Sequence, residues 1–97
     1  MNLTQAISNW RVTDAAVQAA VLTRNSARAT LDSSIDTYDA AVAGGNAATI
    51  AAAAATVAAA ALAVQVASTA VSNAAKASAV AELAIWTAIN GSGGSGG

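Results

Sequence analysis

The stretch AAVAGGNAATI, Ala40 to Ile50, decides the fold. Two adjacent glycines and an asparagine interrupt a chain that is otherwise built from helix formers. Gly44 suits the left-handed position that closes a helix, and Asn46 suits the cap that opens the next. Outward from this point the same logic holds at both ends. Asn2 and Gln5 form an N-x-x-Q capping box, and Asn90-Gly91 repeats the helix-stop composition. Proline is absent and the remaining glycines lie in the tail. The sequence therefore predicts an all-α chain with helices over about 3–43 and 47–89. Each is roughly 60 Å long at 1.5 Å per residue. A connection this short, residues 44–46, folds them into an antiparallel hairpin.

A repeat of seven supports the hairpin. In the second helix one column reads Ile50, Val57, Val64, Val71, Ser78, Ile85. The column three residues on is alanine throughout: Ala53, Ala60, Ala67, Ala74, Ala81, Ala88. In the first helix Leu3, Trp10, Val17, Arg24, Leu31 and Tyr38 form one column. Ile7, Asp14, Val21, Arg28, Ile35 and Val42 form the expected second half of the seam. Small residues run beside it: Ala6, Thr13, Ala20, Ala27, Ser34, Ala41. A sustained period of seven implies left-handed supercoiling. Alternation of a branched residue with alanine resembles the Alacoil, an antiparallel coiled coil of closely approaching helices. That resemblance implies a helix spacing near or below about 8 Å. It concerns packing and implies no activity.

With one fold-bearing segment of about 90 residues followed by GSGGSGG, the chain reads as a single small domain and a flexible linker or tag remnant over 91–97. The tail suggests an engineered or tagged chain and does not show that the rest is designed. The N-terminus lacks the basic and apolar regions of a signal peptide. Without Cys or His the usual zinc, haem and copper ligands are missing. Four basic residues and a net charge of −1 give no footprint for nucleic acid. No phosphate-binding loop and no nucleophile–base arrangement is present, so no catalytic residue, cofactor or small-molecule substrate is expected. Asp32, Asp36 and Asp39 follow Arg28 along one side of the first helix. They read as a solvated face in which Arg28 and Asp32 pair. A turn centred at Gly44-Gly45 would set Asp14 against Lys76 and Arg11 near Glu82.

Charged residues make up 9% of the chain, against about 25% in ordinary soluble domains. From Asn46 to Val64 the second helix has no polar face. A helix apolar on all sides is normally buried, and one neighbour cannot cover it. Residues 40–75 carry no charge and are long enough to span a bilayer. Thr49, Thr56, Gln65, Ser68 and Asn73 interrupt that stretch, and no flanking basic asymmetry or aromatic belt accompanies it. Membrane insertion is therefore the lesser expectation. The leading one is a non-enzymatic module that self-assembles into a homo-oligomeric four-helix or larger bundle. Its interface would involve Ile50, Ala53, Val57, Ala60, Val64, Ala67, Val71 and Ala74, with Trp10 and Trp86 as anchors at the open end. The alternative is a hairpin that binds a different protein through its second helix.

Overall fold

The computed structural model describes residues 2–95. Two helices pack against each other as a hairpin, α1 over Leu3–Gly44 and α2 over Ala47–Ser95. There is no strand among the described residues. The capping box closes as the sequence predicts. The Gln5 backbone N–H donates to Asn2 Oδ1 at 2.8 Å, and the Asn2 N–H reaches Gln5 Oε1 at 3.5 Å. Asn46 caps α2 in the same manner. Its Oδ1 accepts from the backbone N–H groups of Ala48 and Thr49 at 3.0 and 3.1 Å. Two of the donors left open at a helix start are thereby satisfied. Asn46→Ala should cost about 1 kcal/mol, read as a lower denaturant midpoint with unchanged slope.

The left-handed residue is Gly45, at φ 75°, rather than Gly44. α1 thus keeps one more residue than expected. The Gly45 N–H is shared between the carbonyls of Ala41 and Val42, both at 3.1 Å, which caps two of the last open acceptors. A Cβ at either glycine would meet nothing within 4 Å, so backbone conformation alone separates them. Gly45→Ala should destabilise by about 1–2 kcal/mol. Gly44→Ala, within the helix, should instead be neutral or stabilise by about 0.4–1 kcal/mol. Thermal melts of the two variants, shifting in opposite directions, would check this assignment.

α2 also runs farther than the expected stop at Asn90-Gly91 and is helical through Ser95. Gly45 is the one glycine with positive φ among the described residues. Without a left-handed residue at Gly91, nothing there diverts the chain from the helical ladder. Of the expected linker 91–97, Gly96 and Gly97 lie outside the described residues.

The chain divides into two compact units, a turn unit of Val21–Thr69 and a terminal unit of Met1–Ala20 with Ala70–Gly97. In the turn unit Ser34, Ala41, Ala53, Ala60 and Ala67 are buried. Val21, Arg24, Ala27, Leu31, Tyr38, Ile50, Val57, Val64 and Ser68 are half-buried. Apart from Ser68, those on α2 are the two columns read from the sequence. On α1 they are the first column and the small-residue column, with the expected second column keeping its place only at Val21 and leaving the seam toward the turn. Arg28, Ile35 and Val42 are exposed instead, Ile35 at 39% and Val42 at 47%. The reason is geometric. The small column lies three residues from the first, matching the three-residue offset on α2, whereas the Ile35 column lies four away and turns to the side. The hydroxyl of buried Ser34 donates to the Thr30 carbonyl at 2.8 Å, so its burial leaves no donor open.

In the terminal unit Ala6 and Ala81 are buried, and Ile7, Trp10, Thr13, Asp14, Val17, Ala20, Val71, Ala74, Ser78, Ala84, Ile85 and Ala88 are half-buried, so the expected second column is partly covered here at Ile7 and Asp14. The expected ion pairs do not form. Glu82 Oε1 accepts the Trp10 indole N–H at 3.3 Å, and Asp14 Oδ2 accepts from Gln18 Nε2 at 3.0 Å. Trp10 and Glu82 still lie within one turn of the expected register, so the hairpin pairing holds while its charge pattern is different.

Candidate interaction surface

Every buried apolar residue among those described is an alanine. Alanine buries little area, so this interior supplies little hydrophobic stabilisation per turn. The larger apolar side chains sit elsewhere. Leu62 and Val66 in the turn unit are about two-fifths covered at 60% and 62% exposure. In the terminal unit Val80, Leu83, Trp86 and Ile89 are exposed.

The residues expected at the interface fall into two groups. Ile50, Ala53, Val57, Ala60, Val64 and Ala67 are already covered, partly or fully, inside the turn unit. Val71 and Ala74 are half-buried in the terminal unit. Trp86 is 60% exposed, whereas Trp10 is half-buried and tied by its indole to Glu82. The exposed surface of α2 is therefore a different set from the seam columns. In its turn-proximal half it comprises Ala51, Ala54, Ala55, Ala58, Ala59 and Ala61 beside Leu62 and Val66. Hydrophobicity signalled this surface, since from Ala51 to Val66 the exposed polar residues are Thr56 and Gln65. The periodic columns drew the eye to the seam instead.

By length and composition alone, α2 is apolar enough to cross a membrane. Over Ala47–Gly91 it contains an 18-residue window of mean hydropathy 2.0, of which 11% is buried. Two of its threonines do not present free donors there. Thr56 and Thr69 return their hydroxyls to the carbonyls of Ala52 and Gln65, at 3.1 and 3.0 Å.

α1 carries the charge of the turn unit. Arg28, Asp32, Asp36 and Asp39 are exposed, and the expected Arg28–Asp32 pair does not close. No three carboxylates are grouped for a metal among the described residues. Arg24 lies on the seam with its Nε buried and without an acceptor. On the opposite side Ala29, Thr30, Ser33, Ser34 and Thr37 of α1 share an open groove with Thr56 of α2. The hydroxyls of Thr30, Ser34, Thr37 and Thr56 are each bonded to a backbone carbonyl in their own helix. The groove is thus a hydroxyl-lined surface without a reactive group. Comparison with family models, curated proteins and solved structures gives no match.

Proposed function

We propose that the chain is a non-enzymatic structural module that assembles with further copies of itself into a helical bundle. The observation that carries this reading is the mismatch on α2, whose most apolar window is 11% covered within one chain. Burial of a Val, Leu or Trp-sized side chain is worth about 1.5–3 kcal/mol. Leu62, Val66, Val80, Leu83 and Trp86 all retain most of that gain for association. The seven-residue columns support an Ala-based close packing of the helices, in which Ile50, Val57 and Val64 fill the spaces left by Ala53, Ala60 and Ala67.

The hydropathy of α2 favours one second reading, insertion of the hairpin into a bilayer. The turn unit opposes it. Arg24, Arg28, Asp32, Asp36 and Asp39 belong to the same unit as the uncharged half of α2. Each charge taken to mid-membrane costs about 2.5–3.5 kcal/mol or more. Five such charges outweigh the gain from an alanine-dominated helix.

The melting temperature tests the proposal. A self-assembling chain gains stability with concentration by mass action. Its melting temperature should rise over a hundredfold concentration series in detergent-free buffer. A constant melting temperature with retention on lipid vesicles would favour insertion instead.

A further inference from the structure

Within the turn unit α1 separates its charges by sign along the axis: Arg24 and Arg28 first, then Asp32, Asp36 and Asp39. Among the described residues none of the five has an ion pair, and Arg24 Nε has no acceptor. Arg28 shares its column with Ile35 and Val42, and Asp32 and Asp39 occupy the next. This side of α1 faces away from Thr30 and Thr37, which share their groove with Thr56 of α2. The corresponding side of α2 carries Ala54, Ala58 and Ala61, all exposed. The hairpin thus has a second lateral face in this unit. It consists of Ile35, Val42 and three alanines, edged by charges sorted by sign.

We infer that this face receives a second copy of the chain in an antiparallel arrangement, α1 against α1 and α2 against α2. The inference rests on the self-assembly reading above and adds a face, a direction and a register to it. Charge complementarity fixes the direction. Parallel copies meeting on this face through a two-fold axis would set α1 of each over α2 of the other, leaving Arg24, Arg28 and the aspartates against Ala54, Ala58 and Ala61 with no opposite charge. Antiparallel copies related by a two-fold axis level with residues 32 and 33 bring each Arg28 within one turn of Asp36 and Asp39 on the second chain. Arg24 comes within one turn of the same Asp39. The contacts repeat by symmetry, as in any isologous interface. On α2 the axis falls among Ala54, Ala58 and Ala61, where small side chains permit close approach. The turn of one copy lies level with Ala20 and Val21 of the other, so the overlap is confined to Val21–Thr69. The exposed Ile35 and Val42 are covered in this arrangement.

The test uses the full chain in three charge variants, with self-association measured by sedimentation equilibrium in low salt. R24D/R28D and D36R/D39R should each raise the dissociation constant about tenfold or more. The quadruple variant carrying all four changes should return to near the original value, because the signs are exchanged but still complementary. An equimolar mixture of the two double variants should form a mixed dimer more tightly than either variant associates alone. Salt at about 0.5 M should narrow all these differences, since its Debye length is only a few ångströms. Double variants that associate as the original chain does would overturn the antiparallel arrangement while leaving self-assembly standing. An original chain that stays monomeric at every concentration would remove the self-assembly reading and this inference with it.

Discussion

Replacing Ala60 and Ala67 together with leucine should lower the melting temperature by about 10–30 °C. Both alanines are buried, at 7% and 6% exposure, between α1 and α2 of the turn unit. A leucine at either site adds three carbons to a position that is already enclosed. Overpacking costs about 1–3 kcal/mol per site. In a domain of this size each kcal/mol corresponds to roughly 4–8 °C. The effect should depend on position: Ala52→Leu with Ala63→Leu, at exposed positions of α2 outside the proposed lateral face, should not destabilise the hairpin. The check is a pair of thermal melts followed by circular dichroism. An Ala60→Leu, Ala67→Leu chain that melts at or above the original temperature would mean that the helices settle at ordinary spacing, and the close-packing proposal would fail.

Ala54→Glu with Ala61→Glu should dissociate the oligomer and leave the helices in place. The two sites lie seven residues apart in one exposed column of α2. In a single hairpin a glutamate there remains in water and changes helix propensity by only a few tenths of a kcal/mol. In the proposed assembly it enters an interface of alanines: Ala54 lies level with Ile35 among the aspartates, and Ala61 level with Arg28, whose guanidinium is there committed to the aspartates of the second copy. A buried charge without a partner costs about 3–5 kcal/mol. The dissociation constant should therefore rise by at least two orders of magnitude. The measurement is sedimentation at fixed concentration beside far-ultraviolet circular dichroism. Unchanged mass would show that this column remains in solvent.

Much of the fold is legible from local chemistry. The Asn2–Gln5 box and the Asn46 cap need only neighbouring residues, and both form. The α2 columns are legible because alanine recurs at every seventh residue from Ala53 to Ala88 without a break. α1 is harder because near the turn its strongest hydrophobic signal points to the wrong column. Ile35 and Val42 outweigh Ser34 on any hydropathy scale, yet Ser34 is buried and they are exposed. A serine or threonine in a helix satisfies its hydroxyl on the preceding turn, as Ser34 and Thr13 do, and then packs as a small side chain. Size, rather than polarity, governs a seam of closely packed helices. The choice between Gly44 and Gly45 is invisible in the sequence because the two residues are chemically identical. The cross-helix charge pairs fail for another reason. Their assignment depends on register to within one turn, and Trp10 reaches Glu82 first.

The candidate surface is legible only in part. Apolarity of α2 is plain in the sequence, but which positions the chain itself covers depends on where α1 lies. The lateral face with Ile35 and Val42 emerges only once these residues are known to lie outside the seam.

The central claim is that this hairpin completes its burial with further copies of itself. Sedimentation equilibrium of the purified chain in detergent-free buffer tests that most directly. Self-assembly predicts a discrete species at twice the 9.3 kDa chain mass or a higher whole-number multiple. A stable, cooperatively folding species of 9.3 kDa at all concentrations would contradict it, and would turn attention to a different protein as the partner of α2.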